Sequence, residues 1–205
     1  MEALALKSFL TMFVVIDPVG LIPIYLGLDP HQTPTENRAT ARRAISIGAV
    51  VLVVFTLAGA QLLEHLGISL DAFRIAGGLL LLKIAVDMVF AQRERETPEE
   101  AQENRQRTDI SVFPLAVPLV AGPGAMASVM ILAGESDGGL GIGVVLGCTA
   151  AVLVLAYTAL RMSSRLSGVL GQTGINVVTR LLGVMLAALS VQYVADGVMG
   201  FIAPV

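Results

Sequence analysis

Two apolar segments, each long enough to cross a bilayer, are interrupted at their centres by residues that stop a helix. The first, LALKSFLTMFVVIDPVGLIPIYLGL (residues 4–28), carries Asp17-Pro18-Val19-Gly20 in the middle and Pro23 beyond it. The second, ISVFPLAVPLVAGPGAMASVMILA (residues 110–133), carries Gly122-Pro123-Gly124. Proline lacks a backbone donor and its ring collides with the preceding turn, so neither segment continues as one straight helix. A span needs about 20 apolar residues. At membrane depth, unwound backbone is tolerated only where protein or a water-filled cavity covers it. Interrupted segments at corresponding places in two halves of a chain are the sequence pattern of a transporter binding site.

Composition places both segments in a membrane. The 205 residues are 55% apolar and 14% charged, with a mean hydropathy of +0.80; soluble domains carry about 25% charged residues. A net charge of −3 and the lack of a basic cluster exclude nucleic acid as a partner. The single cysteine, Cys148, lies in an apolar run and reads as a small packing residue. His31 and His65 are too far apart in sequence to suggest a metal pair, and no metal, cofactor or catalytic motif is expected. Glu2 and Lys7, with a long first apolar stretch, do not resemble a cleavable signal peptide.

Six spans can be drawn, at about 4–28, 45–64, 70–90, 110–133, 140–160 and 177–201. Ten of the thirteen Lys and Arg then fall on one side: Arg38, Arg42 and Arg43; Arg93, Arg95, Arg105 and Arg107; Arg161, Arg165 and Arg180. The short loops at Glu64–Gly67 and Glu135–Gly138 carry none. The positive-inside rule puts the basic loops in the cytoplasm and both termini outside. The expected fold is an all-α integral membrane protein of the cytoplasmic (inner) membrane.

The polar stretch 91–109 reads as a cytoplasmic linker between a first three-span repeat, residues 1–90, and a second, residues 110–205. Pro18 and Pro123 are 105 positions apart, while Arg74 and Gly77 precede Arg180 and Gly183 by 106. Because three is odd, the second repeat enters the membrane inverted. This gives two inverted three-helix repeats, with helices 1 and 4 broken near the midplane. New half-helices are expected from Leu21 and from Ala125, with unpaired N–H groups suited to an anion. Small residues from Gly122 to Ser128 would leave room for a ligand. The candidate binding residues are Asp17, Pro18, Gly20, Pro23, Gly122, Pro123, Gly124 and Ser128.

A carboxylate near the bilayer centre costs about 2.5–3.5 kcal/mol, so Asp17 should face a cavity or a partner. It can cap the following half-helix near Val19 and Gly20, serve ion coupling, or touch substrate; the first two can coexist. Arg74 and Arg180 lie near membrane faces, to snorkel, pair with loops or gate access. Lys83 and Asp87, four apart, read as an intrahelical pair. Gln192 and Asp196 could point into the bundle, though Asp196 is close enough to the outer end to read as interfacial. Gly77, Gly78, Gly141, Gly143, Gly147 and Gly183 read as close-packing positions.

At IDPVGLIPIYLGL, VFPLAVPLVAGPGAMASVMIL and FRIAGGLLLLKIAVDM the chain resembles the MarC family of bacterial and archaeal membrane proteins, over nearly its whole length. The resemblance implies a six-span inner-membrane protein grouped with neutral amino acid transporters, with signature positions Asp17, Pro18, Gly20, Pro23, Pro118, Gly122, Pro123 and Gly124. Family members often carry a polar residue where this chain has Leu21.

The leading expectation is a secondary transporter of small neutral amino acids such as glycine or alanine, coupled to protons or sodium. A homo-oligomer is left open. The rivals are a non-transporting scaffold or regulatory subunit, and an exporter of other small metabolites. An intramembrane enzyme is disfavoured, because no second carboxylate, histidine or nucleophile accompanies Asp17 at its depth. The scaffold reading requires breaks sealed by packing; the transporter reading requires a hydrated cavity between them.

Overall fold

The computed structural model describes residues 1–28, 34–90, 111–136 and 138–202. His31 and the 91–109 linker lie outside them. Helices run in the order α1 (Glu2–Ile16), α2 (Leu21–Leu28), α3 (Pro34–His65), α4 (Leu70–Phe90), α5 (Ser111–Val120), α6 (Pro123–Gly134), α7 (Gly138–Arg161) and α8 (Ser163–Ile202). No strand occurs among the described residues.

Among the described residues, four stretches are both long and apolar enough to cross a membrane: Glu2–Gly27, Thr35–His65, Gly138–Arg161 and Ser163–Ile202. The other two expected spans depart from that pattern for local reasons. The 21-residue α4 carries Asp71, Arg74, Lys83 and Asp87. The 110–133 segment is split into α5 and α6.

Helix boundaries correct the sequence reading on the basic side. Residues 34–44 were expected in a loop but form the first three turns of α3, so Arg38, Arg42 and Arg43 are helical. Pro34 at the first helical position has a φ preset for a helix and needs no donor there. Burial then recurs at Ala41, Ala44, Gly48, Leu52, Thr56, Gly59 and Leu63, a helical stripe that carries the amphipathic start into the span. In the same way Arg165 and Arg180 belong to α8, which is interrupted at Gly171 (φ 63°, ψ 169°). The opposite faces expose Val50, Val54, Leu57, Val154, Val184 and Val191, surface that requires an apolar solvent.

Helices α4 and α8 pack antiparallel, with glycines where they meet. A Cβ at Gly78 would stand 2.8 Å from the Ser190 carbonyl oxygen and 3.1 Å from the Val194 nitrogen. One at Gly183 would stand 2.9 Å from Cβ of Met88, and one at Gly197 2.7 Å from the Asp71 carbonyl oxygen. The start of α4 thus lies beside the end of α8. With little hydrophobic drive between helices in lipid, such backbone approach carries the association. The expectation of close packing between helices holds at Gly77, Gly78 and Gly183, but not at Gly141, which meets only Ser136 in the turn before α7, nor at Gly143 or Gly147, where a Cβ would meet nothing within 4 Å among the described residues. Those two sit on the outward face of α7.

Candidate binding site at the helix breaks

The first break is built by Asp17. It ends α1 in the left-handed conformation (φ 45°, ψ 70°), with its N–H bonded to the Phe13 carbonyl, a geometry that a short polar side chain tolerates better than most. Its Oδ1 accepts the Gly20 N–H at 2.9 Å. Its carbonyl accepts the Leu21 N–H at 3.1 Å, and the Val19 carbonyl accepts the Ile22 N–H at 3.1 Å. The capping role expected of Asp17 is therefore present, at 8% exposure, and α2 begins at Leu21 as expected. The capping carboxylate also offsets the positive end of α2, so this break suits a cation better than the anion anticipated from helix polarity alone.

Gly20 is required by that cap, because a Cβ there would overlap Oδ2 of Asp17. The same Cβ would lie 3.1 Å from Oγ1 of Thr179 on α8. The Thr179 hydroxyl is buried without a hydrogen-bond partner among the described residues. Sequence reasoning passed over Thr179, since a single threonine beside Arg180 has no spacing signal; only the packing of α2 on α8 brings it to the break. Further along α2, Tyr25 donates to the Asn37 carbonyl and holds α2 against the start of α3.

The second break differs. Pro114 and Pro118 remove donors from α5, which adopts π-helical geometry and ends with the Ala121 N–H bonded to the Ala116 carbonyl at 2.8 Å. Gly122 is extended (φ −78°, ψ 171°) and caps α6 without any side-chain hydrogen bond. Helix α6 starts at Pro123, two residues before the expected Ala125, because proline at the first position satisfies a helix start. With no acidic residue in its first turn, α6 keeps the positive character that α2 has lost to Asp17.

The flanks of the two breaks share one core. Ile16 and Leu21 belong to the same buried cluster as Val120, Ala121 and Ala125. Asp17, Pro18, Gly20, Gly122, Gly124 and Ser128 are buried, Pro23 is half-buried and Pro123 is exposed. Ser128 lies one turn beyond Gly124, fully buried, with its hydroxyl unpartnered among the described residues.

The expected open space at Gly124 is corrected. A Cβ there would stand 2.8 Å from Cδ2 of Leu81 and 2.9 Å from Cδ1 of Ile84, so in this conformation α4 packs onto the second break. The obstructing atoms are side-chain ends, which can shift. Gly124→Val is therefore expected to lower stability by about 1–3 kcal/mol. Leu81→Ala in the same chain should recover part of that loss, read as the thermal unfolding midpoint in detergent.

Other sequence assignments resolve as follows. Lys83 pairs with Asp87 at 3.4 Å. Gln192 is exposed rather than turned into the bundle, and donates to Asp196 at 2.6 Å along α8. Cys148 is half-buried, its Sγ 3.4 Å from the Ala5 carbonyl. Arg180 is exposed, whereas Arg74 is half-buried in ion pairs.

A bundle of apolar helices, with a buried carboxylate at one break and hydroxyls unpartnered among the described residues beside both, defines an integral membrane protein with several helices that could cross a bilayer. Its sequence matches the family described as MarC family integral membrane protein over residues 3–202. The chain belongs to that family. It is 35% identical over 199 residues to the UPF0056 membrane protein YhcE of Escherichia coli K12, covering 95% of this chain and 91% of that one. It is 36% identical over 196 residues to the UPF0056 membrane protein YvbG of Bacillus subtilis 168, covering 94% and 92%. No solved structure matches the chain.

Proposed function

We propose that this protein is a secondary transporter of small neutral amino acids in the cytoplasmic membrane, coupled to protons or sodium. The observation that carries the reading is the chemical asymmetry of the two breaks. The first presents a buried carboxylate, Asp17, with the unpartnered Thr179 hydroxyl beside Gly20. The second presents a helix start with no side-chain cap and the unpartnered Ser128 hydroxyl one turn on. A zwitterion needs both signs: Asp17 meets its ammonium group or the coupling cation, and the α6 N-terminus meets its carboxylate. Asp17, Pro18, Gly20, Pro23, Gly122, Pro123, Gly124 and Ser128 form the binding region in this reading.

Six spans in two inverted repeats, residues 1–90 and 110–205 joined by 91–109, belong to the same proposal, as do termini outside the cytoplasm. The helix pairing supports it. If α1, α2, α3 and α4 correspond to α5, α6, α7 and α8, then α3 packing on α5 has its counterpart in α7 packing on α1. Likewise α4 on α6 has its counterpart in α8 on α2, and α4 and α8 pair with each other antiparallel.

A second reading, a non-transporting membrane scaffold, is favoured by the packing of Leu81 and Ile84 over Gly124. Uptake of a panel of labelled amino acids into proteoliposomes, with and without imposed ion gradients, separates the two. Gradient-driven accumulation of a small neutral amino acid is the expected result, and none across the panel would leave the scaffold. Asn caps a helix about as well as Asp. Asp17→Asn is therefore expected to keep its fold and substrate exchange while losing proton-driven accumulation. Accumulation at the wild-type level would remove protonation of Asp17 from the mechanism.

A further inference from the structure

At one end of the bundle, away from both breaks, four charged side chains tie three segments together. Glu135, at the C-cap of α6, accepts from Lys7 of α1 at Oε2 (2.6 Å) and from Arg74 of α4 at Oε1 (3.2 Å). Arg74 also donates to Asp71 at 2.8 Å. The Asp71 end of α4 lies against Gly197 and Gly200 of α8. The start of α1, the start of α4, the end of α6 and the end of α8 are all at this face. In the proposed orientation it is the extracytoplasmic one.

Beside this network lie buried polar groups of α1, α4 and α8. The Arg74 Nε is buried without a hydrogen-bond partner among the described residues. Tyr193 is 1% exposed, has the Thr11 side chain of α1 as its hydrogen-bonding neighbour, and lies within electrostatic reach of Arg74, Glu135 and Asp196. Lys7, Thr11 and Val14 follow one another at helical spacing on α1, and Val14 packs in the same buried cluster as Tyr193, Leu81 and Ile131. This face of α1 descends from the ion pairs toward Asp17.

We infer that the Lys7–Glu135–Arg74–Asp71 network is the extracytoplasmic gate of the transport pathway, closed in this structure. The inference rests on the transporter reading above. Two observations distinguish a gate from a static tie. The paired side chains are partly exposed, from 18% at Glu135 to 42% at Lys7, and ion pairs of that kind separate easily in water. The buried Arg74 Nε has no partner among the described residues, which is unfavourable in a permanently closed arrangement. Parting Glu135 from Lys7 and Arg74 opens the Arg74 Nε, Thr11 and Tyr193 to solvent, where the Nε gains a partner. Leu81 and Ile84, which cover Gly124, belong to the same helix as Arg74, so movement of α4 uncovers both.

The test uses the full chain with its only cysteine removed, Cys148→Ser, and Thr11→Cys as reporter. A membrane-impermeant maleimide is added to the outside of intact cells. Labelling is expected to be slow with the network intact and to rise at least tenfold with Glu135→Gln, with a smaller rise for Lys7→Gln. Size-exclusion profiles in detergent check that each variant is folded; if Glu135→Gln does not fold, Lys7→Gln decides. Unchanged labelling in folded variants, fast labelling with the network intact, or labelling only in inside-out vesicles would each overturn the gate. The readout needs no substrate. Faster labelling without uptake of any tested amino acid would support the gate and remove the substrate assignment. Uptake with unchanged labelling would do the reverse.

Discussion

Gly20→Ala is expected to be among the most damaging single-methyl changes in the chain. The added Cβ would overlap Oδ2 of the carboxylate that caps α2. The Asp17 side chain must then leave its 2.9 Å bond to the Gly20 N–H. A lost cap costs about 1 kcal/mol, and crowding a packed interior about 1–3 kcal/mol more. The displaced carboxylate would stay buried at membrane depth, and Thr179 blocks the other side of the new methyl group. A fall in the thermal unfolding midpoint in detergent and a smaller monodisperse fraction are the expected readings. The mechanism has an internal check. In an Asp17→Ala background the clashing oxygen is absent, so Gly20→Ala should cost much less there than in the wild type. Additive losses would mean that Gly20 is needed for another reason.

Gly78→Ala is expected to have a comparable effect through tertiary packing alone. Its Cβ would meet the backbone of α8, 2.8 Å from the Ser190 oxygen and 3.1 Å from the Val194 nitrogen. Backbone atoms cannot move aside as a side-chain end can, so α4 and α8 must separate. In lipid no hydrophobic effect compensates when two packed helices are pushed apart. Gly78→Ala should therefore lower stability by about 1–3 kcal/mol, and Gly78→Leu should abolish recovery of monodisperse protein. Gly147→Ala is the control. It is the same change in a helix of the same bundle, but nothing lies within 4 Å of its Cβ. There alanine should be neutral or stabilising by up to about 1 kcal/mol, because glycine weakens a helix interior. Equal losses at Gly78 and Gly147 would point to helix propensity rather than interhelical approach.

Much of the site was legible in the sequence, because it depends on local chemistry. Proline and glycine act on the backbone within a turn of where they stand. Hence the position of each break, the helix start at Leu21 and the capping role of Asp17 followed from order alone. The Lys83–Asp87 pair was equally local. The length of α3 was missed because its first turns are polar. Hydropathy finds where a helix enters lipid, whereas helix formation continued back to Pro34.

What only the tertiary structure decided concerns residues distant in the chain. Gly78 and Gly147 are both glycines in apolar runs, and sequence treats them alike. The approach of α8 makes one of them necessary to the fold and leaves the other facing outward. Gly124 looked like open space because small residues leave room only if nothing else fills it, and Leu81 and Ile84 from α4 do. Glu135 lies 128 residues from Lys7 and 61 from Arg74, so no periodicity links them. Thr179 beside Gly20 has the same origin. The helix breaks and the cap at Asp17 are set by forces acting over one turn, and the sequence by itself determined them. Which faces meet is set by shape and buried polarity summed over the whole bundle, and that exists only once the chain has folded.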